Sequence, residues 1–213
     1  MTEQHRITIQ KTAHYFTIGK ASRDIEDFWI CCHGYGQLAE HFIRRCEALN
    51  DGKTFILAPE GLSRFYTEGL AGKVGASWMT REDRLTEIAD YCNYLQTLYD
   101  LYFTRLAPEV RVTFFGFSQG CATVTRFAMQ HFPLFHRLIL YAGMIPEDLD
   151  YSAASDYWEN KKLVAVYGNQ DPFITAERLQ WQKDFFKKQG LNFEEVVFEG
   201  GHEVKREVLT GLK

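Results

Sequence analysis

The sequence GFSQG, residues 116–120, has the spacing expected around a serine nucleophile. Strand-forming residues, VRVTFF, precede it, and a helical pattern follows at once. In such a sharp strand-to-helix turn the backbone of Ser118 is strained and its hydroxyl is held above the sheet. A side chain at Gly116 or Gly120 is expected to collide with the neighbouring strand or helix. The motif alone is a weak signal, and its structural alternative is an ordinary glycine-flanked turn. With its context it predicts Ser118 as a nucleophile.

A serine hydroxyl is a poor nucleophile at neutral pH and needs a neighbouring base. The chain has seven histidines, and His202 lies in EGGHEV, directly after the last predicted strand. Its two preceding glycines would let the chain bring the ring over the sheet. A single histidine is more often a surface or core residue, but together with Ser118 it is predicted to be the general base.

The base needs a third group that fixes its tautomer and stabilises the imidazolium. Asp171 follows the apolar strand LVAVYG, between Ser118 and His202 in the chain, and Pro172 would stiffen its turn. This order matches nucleophile, acid and base in hydrolases with a G-x-S-x-G turn. Three other aspartates compete for the role but have no strand immediately before them: Asp148, Asp150 and Asp156.

A tetrahedral oxyanion needs rigid hydrogen-bond donors, which backbone amides supply. The N–H of Gln119, next to the nucleophile, is one predicted donor. The second is expected in CCHGYGQ after an early strand, where the Tyr35 N–H is the candidate and flanking glycines leave room for a substrate. His33 in the same loop is expected to brace the backbone.

The elements that must position these residues alternate between strands and helices, which predicts an α/β fold. We expect one domain over residues 1–213, with a mostly parallel central sheet, helices on both faces and no large lid domain. Residues 60–79 carry four glycines and are interpreted as a long functional loop. A helix is predicted from Thr80, its N-cap, and another up to Gly190. The predicted strands are an opening hairpin within HRITIQKTAHYFTIG, then DFWICC, KTFILAPEG, VRVTFFGF, FHRLILYAG, KLVAVYGNQD and NFEEVVFEG.

The composition limits the function classes. Hydrophobic residues make up 46% of the chain and the formal net charge is -4, which argues against a nucleic-acid partner. No long apolar segment is present, so we expect no stable membrane insertion and a cytoplasmic location. The five cysteines follow no metal-ligand spacing and are expected to be reduced and buried. Among them, Cys121 is interpreted as a small buried contact facing the sheet.

In order along the chain, HGYGQ, FILAPEG, ASWM, GFSQG, GNQDP and GGH resemble the phospholipase/carboxylesterase branch of the α/β-hydrolases, which includes the acyl-protein thioesterases. The resemblance covers residue 26 to the end. It implies an α/β-hydrolase fold and a serine esterase or thioesterase that needs no cofactor and no metal, and it gives Ser118, Asp171 and His202 as the triad. Two residues depart from the branch's pattern: Gln37 and Cys121 stand where it often has aspartate and glycine.

The expected substrate is a small-molecule carboxylic ester, with thioesters or lysophospholipids as further candidates. Aromatic residues near the predicted site are expected to form an apolar substrate pocket, namely Trp78, Phe117 and Phe173. The alternative is a binding module of the same fold that holds a ligand without turnover. Because all three triad candidates are present, the sequence favours catalysis.

Overall fold

The computed structural model describes residues 1–69 and 71–213. In this part of the chain, the central sheet has strands β1 (Tyr15–Ile18), β2 (Asp27–Cys32), β3 (Thr54–Pro59), β6 (Arg111–Phe117), β7 (Arg137–Tyr141), β8 (Lys162–Gly168) and β9 (Phe193–Phe198). A separate small sheet pairs β4 (Ser63–Tyr66) with β5 (Val74–Ser77). The order across the central sheet is β1-β3-β2-β6-β7-β8-β9, and every pairing except that of β1 is parallel.

The helices lie on both faces of this sheet. They are α1 (Ala39–Cys46), α2 (Arg84–Phe103), α3 (Gln119–His131), α4 (Ser155–Trp158), α5 (Ala176–Lys188) and α6 (Arg206–Gly211). One hydrophobic cluster contains Leu95, Phe127 and Phe186, from α2, α3 and α5. The other contains Phe42 and Leu209, from α1 and α6. The predicted α/β-hydrolase architecture is confirmed.

The burial of strand β2 on both faces explains why the central strands are continuous apolar runs in the sequence. All six of its residues are buried. Phe28 and Ile30 belong to one hydrophobic cluster, whereas Trp29 and Cys31 belong to the other. A strand covered by helices on both faces is apolar at nearly every position, not only at alternate ones, and here the exception is Asp27, which pairs with Arg111.

The sheet topology opens a crevice at the carboxyl ends of β2 and β6. The chain passes from β2 outward to β3, and later returns to add β6 on the other side of β2. Such a switch point is where open α/β sheets bind ligands. Here the loop after β2 carries Tyr35 and the turn after β6 carries Ser118.

Two segments differ from the sequence expectation. Only β1 forms at the start of the chain, and it pairs with β3 instead of with a preceding hairpin arm. Ile7 and Ile9 are 87% and 76% exposed, so an extra strand there would bury little apolar surface. Residues 60–79, expected as a loop, contain the β4–β5 hairpin, while Leu70 of that segment lies outside the described residues.

Of the two predicted helix boundaries, the start of α2 is wrong and the end of α5 is confirmed. Asp83, not Thr80, precedes the first residue of α2, because the Thr80 N–H and hydroxyl donate instead to the Glu87 carboxylate. At α5 the Thr175 hydroxyl accepts from the Arg178 N–H, and the helix ends before Gly190, whose φ is +72°. In the described part of the chain, no helix is both long and apolar enough to cross a membrane.

Candidate active site

Ser118 occupies the sharp turn between β6 and α3. Its φ is +53° and its ψ is -117°, a conformation that costs free energy in a residue with a Cβ. The Ser118 N–H donates to the Tyr141 carbonyl over 2.9 Å, which ties the turn to β7. A Cβ on Gly116 would lie 2.5 Å from the Cys121 backbone in α3, and one on Gly120 would lie 2.1 Å from the Cys32 carbonyl oxygen at the end of β2. The expected collisions at both glycines are confirmed.

His202 and Asp171 meet at the carboxyl ends of the last two strands. The Nδ1 atom of His202 is 2.7 Å from Oδ2 of Asp171. The other carboxylate oxygen, Oδ1, accepts from the Phe173 N–H over 2.9 Å. Both carboxylate oxygens of Asp171 are therefore hydrogen-bonded. The side chain is fully buried, so solvent does not reach them.

Three contacts hold the loop that carries His202, and sequence reasoning did not identify them. The Asn169 side-chain oxygen accepts from the Gly200 N–H over 3.2 Å, and the Gln170 N–H donates to the Gly200 carbonyl over 2.9 Å. Further along, the Lys205 N–H donates to the Tyr141 hydroxyl over 3.1 Å. Since the Tyr141 carbonyl also accepts from the Ser118 N–H, one residue contacts both the nucleophile turn and the histidine loop.

The predicted substrate-wall aromatics are not equally accessible. The ring of Phe173 is 59% exposed and lies edge-on to His202, with centroids 4.8 Å apart. Phe117 is only 4% exposed and lies 5.0 Å from the same imidazole. Trp78 is 1% exposed, and its indole N–H donates to the His33 carbonyl over 2.8 Å. Trp78 and Phe117 therefore have little surface for a substrate, contrary to expectation, because their rings pack beneath the site.

His33 braces the loop after β2, as expected. Its Nε2 accepts from the Gly61 N–H over 2.9 Å, so the proton is on Nδ1, which donates to the Gly34 carbonyl over 2.7 Å. Burial lowers the pKa of His33 below its ordinary value of 6.5, because a buried imidazolium would lose hydration. The neutral ring thus joins two loops.

The backbone around Tyr35 is fixed by its neighbours. The Gly34 N–H donates to the Gln37 side chain over 2.8 Å, and the Gly36 N–H donates to the Ala76 carbonyl over 2.9 Å. Among the described residues, the Tyr35 N–H between them has no acceptor. The amide of Gln119, the first residue of α3, has none in the same set. Gln37, one of the two departures from the family pattern, thus serves to order this loop.

The Gln119 side chain joins the nucleophile turn to the segment after β5. Its Oε1 accepts from the Trp78 N–H over 3.2 Å, and its Nε2 donates to the Met79 carbonyl over 2.9 Å. No sequence pattern signals this contact, because the partners are backbone groups about forty residues away. The consequence is that residues 77–79 are held against the start of α3.

Cys121 is fully buried, and its thiol donates to the Gly116 carbonyl over 3.0 Å. Burial raises the pKa of this thiol, so it stays protonated and is a poor nucleophile. The interpretation as a small buried contact is confirmed. All five cysteines are buried and unpaired, as expected from the sequence.

The arrangement brings Ser118, Asp171 and His202 to one edge of the sheet, after β6, β8 and β9 respectively. The loop with Tyr35 follows β2 at the same edge. Carboxyl ends of parallel strands meet there, so a strained serine, a paired imidazole and two amides without acceptors among the described residues lie at the same edge. Such groups can carry out acyl transfer through a covalent intermediate.

Comparisons with known proteins agree with the fold. The family model described as Phospholipase/Carboxylesterase matches residues 13–213. Among solved structures, acyl-protein thioesterase 2 from Zea mays is 16% identical, with a TM-score of 0.70 over 94% of this chain and 98% of that one. A phospholipase/carboxylesterase from Dyadobacter fermentans is 17% identical, with a TM-score of 0.68 over 97% and 99%. A carboxylesterase from Mesorhizobium loti is 15% identical, with a TM-score of 0.68 over 94% and 93%. No curated protein matches the chain significantly.

Proposed function

We propose that this chain, which belongs to the phospholipase/carboxylesterase family of hydrolases, cleaves small carboxylic esters through a covalent acyl-enzyme at Ser118. The acyl-protein thioesterase among its structural neighbours makes thioesters a second substrate class to test, followed by lysophospholipids. Neither a metal nor an organic cofactor takes part in the proposed reaction. Its groups are the hydroxyl of Ser118, the imidazole of His202 and the carboxylate of Asp171.

In the first half-reaction, His202 Nε2 accepts the hydroxyl proton while Ser118 Oγ bonds to the ester carbonyl carbon. The tetrahedral intermediate then collapses, the bond to the alcohol oxygen breaks, and the imidazolium gives its proton to that oxygen. In the second half, water attacks the acyl-enzyme with His202 again as base. The acid product leaves, Ser118 regains its proton, and the net reaction is ester plus water to acid plus alcohol.

The two unengaged amides support the oxyanion in both halves. We assign this role to the N–H groups of Tyr35 and Gln119, which have no acceptor among the described residues. They need no rearrangement when negative charge forms on the carbonyl oxygen, since both backbones are held by neighbouring hydrogen bonds. Removing one such donor typically lowers turnover by about 10² to 10³.

The observation that carries the proposal is the 2.7 Å contact of His202 Nδ1 with the buried Asp171 carboxylate. That contact places the proton on Nδ1 and leaves Nε2 as the acceptor that a serine base requires. A buried carboxylate whose oxygens are both hydrogen-bonded also favours the imidazolium formed during attack. A structural histidine on the surface would not need such a partner.

The test is mass spectrometry after treatment with a fluorophosphonate, with hydrolysis of p-nitrophenyl acetate, butyrate and octanoate followed in parallel. We expect one adduct, on Ser118, and turnover that varies with chain length. Ser118→Ala should lose both adduct and turnover, whereas the matched control Ser152→Ala, at an exposed position of a short 3-10 helix, should retain both. Folded protein without adduct or turnover would contradict the proposal and favour a ligand-binding module.

A further inference from the structure

A cavity of about 610 Å³ lies along α3, beyond the groups assigned to the reaction. Its walls come from the start of α2, from α3, from the segment after β7, from α5 and from Met79. Met144, Ile145, Pro146 and Trp181 make part of the wall apolar, and arginine and acidic side chains make the rest. No sequence motif marks this set, because it is assembled from separate elements.

One end of the cavity adjoins the nucleophile. Ala122, in its wall, is one helical turn beyond Ser118. The Met79 carbonyl accepts from the side chain of Gln119, the residue next to the nucleophile. Met144 follows Gly143, where a Cβ would lie 2.5 Å from the Ser118 carbonyl oxygen. These contacts put one end of the cavity next to the turn that carries Ser118.

The other end of the cavity carries two arginines that share one carboxylate. Arg126 Nη2 donates to Asp148 Oδ1 over 2.5 Å, and Arg84 Nη2 donates to Asp148 Oδ2 over 2.9 Å. Arg126 is eight residues beyond Ser118, so its Cα lies about 12 Å further along the axis of α3, at about 1.5 Å rise per residue. This separation suits a chain of several methylene groups.

Arg126 is under-paired for a buried cation. Its side chain is only 5% exposed, and its Nε and Nη1 atoms have no hydrogen-bond partner among the described residues. A guanidinium has donors on all three nitrogens, and leaving them unsatisfied in a buried position is costly. Such an exception in a native fold calls for a ligand or another explanation.

The charges at this end favour an anion. Asp148 supplies one negative charge against the two positive charges of Arg84 and Arg126. The rest of the charged lining is Glu147, Glu177 and Arg178, all exposed, where solvent and salt weaken their influence. Arg126 is 5% exposed, whereas the side chains of Arg84 and Asp148 are 37% and 39% exposed, so the charge that solvent screens least at this end is the positive charge of Arg126.

We propose that the cavity binds the acyl chain of the substrate and that Arg84 and Arg126 bind a carboxylate at its far end. The substrates would then be half-esters of dicarboxylic acids. The assignment rests on the proposed function, since it takes Ser118 as the attachment point of the acyl group. A carboxylate fits because guanidinium groups bind its two oxygens through paired N–H donors.

The acyl half, not the alcohol half, is assigned to the cavity from the position of His202. The leaving alcohol must lie against the imidazole that protonates it. His202 contacts the rings of Phe117 and Phe173, and neither of these belongs to the cavity wall. The alcohol then leaves on the Phe173 side, and the acyl chain extends along α3.

The test compares kcat/KM for mono-p-nitrophenyl adipate and suberate with kcat/KM for p-nitrophenyl esters of monocarboxylic acids of matched length. The wild-type ratio of acidic to neutral ester should be about tenfold or more, as a charge-assisted hydrogen bond predicts. Arg84→Gln should lower this ratio about tenfold. The matched control Arg44→Gln, an exposed arginine of α1 paired with Glu40, should leave the ratio unchanged.

Three results would overturn the assignment. One is a wild-type preference for the neutral esters. A second is an equal ratio of acidic to neutral kcat/KM in wild type, in Arg84→Gln and in Arg126→Lys. Lysine is chosen at position 126 because it keeps a buried cation where complete removal of the charge would impair folding. The third is a preference for acidic over neutral esters that is found only when the carboxylate is on the alcohol half. That result would mean that the substrate carboxylate binds on the other side of Ser118.

A binding measurement separates this proposal from the proposed function. Calorimetric titration of Ser118→Ala with monomethyl suberate, and with dimethyl suberate as the neutral control, does not require turnover. Binding of the monoacid that weakens about tenfold in Ser118→Ala/Arg84→Gln supports the cavity assignment even if no ester is hydrolysed. Absence of monoacid binding to folded Ser118→Ala contradicts it even if hydrolysis is observed.

Discussion

The two ends of the site, both adjoining α3, are held in place by different physical means. At its amino end, the turn with Ser118 is fixed by backbone sterics, with glycines packed against Cys32 and Cys121. Further along, the cavity wall is fixed by charge, with Asp148 held between Arg84 and Arg126. Steric fixation tolerates almost no substitution, whereas ion pairs can be exchanged for other pairings. The reacting groups are thus set by the fold, while the residues around the acyl chain remain adjustable.

The largest expected effect concerns the reacting end. Asp171→Asn should lower kcat by up to about 10⁴, because an amide at this position favours the wrong imidazole tautomer. The Asn oxygen can still accept from the Phe173 N–H, so the melting temperature should change little. Ester hydrolysis and thermal unfolding measured on one preparation check both points. Near-normal turnover would show that another residue is the acid.

The second prediction tests steric fixation directly. Gly120→Ala places a Cβ where the Cys32 carbonyl oxygen would be only 2.1 Å away, and neither backbone can move without disturbing β2 or α3. We expect a loss of about 3 kcal/mol or more in the free energy of unfolding, measured by urea denaturation. Gly211→Ala is the matched control, because a Cβ there meets nothing within 4 Å, and it should cost nothing. Equal stability of the two variants would refute the steric account.

These two predictions show why the reacting end could be predicted from the sequence and the cavity could not. The proposed nucleophile, base and acid, Ser118, His202 and Asp171, have the residue types that these roles require, and each follows a strand in the order that the proposal needs. Glycines flank the turn because nothing larger fits. Arg126, by contrast, lies in an ordinary helical pattern, and only the packing of α2 and the segment after β7 gives it Asp148 as a partner.

The fold errors have the same origin. The pattern around Ile7 and Ile9 is that of a strand, but strand formation needs a partner edge and buried surface, which sequence alone does not report. Trp78 was expected in the pocket wall because its type and position suited that role. Its ring is instead buried against His33, since a local pattern does not tell which side of a loop faces the core.

The third prediction tests the charged end of the comparison. Asp148→Asn leaves the buried Arg126 without its carboxylate and should lower the free energy of unfolding by about 2 kcal/mol. Adding Arg126→Met to this variant should recover part of the loss, because the unpaired charge is then gone. Asp156→Asn, an exposed aspartate of α4, is the control. A fully additive double variant would mean that the two side chains do not depend on each other.

The smallest expected effect is a pH dependence at His33, which braces the loop after β2. Burial lowers the pKa of His33 below 6.5 in the folded chain. In the pH range just below 6.5, His33 therefore binds a proton in the unfolded chain but not in the folded chain. Stability from this residue is therefore complete above pH 6.5 and falls as the pH drops through that window, by at most about 1.4 kcal/mol per pH unit. His33→Gln keeps a donor and an acceptor and should flatten this part of the profile of unfolding free energy against pH. An unchanged slope in the variant would assign the dependence to other groups.

The amide side chain of Gln119 has a kinetic consequence. Its backbone N–H is assigned to the developing oxyanion, while its side chain holds the carbonyl of Met79, which lines the cavity. A chain that displaces Met79 must therefore shift the donor at the moment when charge forms. Acyl-chain selectivity should then show in the rate of acylation under saturating substrate, not only in affinity, so that a poorly fitting ester binds yet reacts slowly.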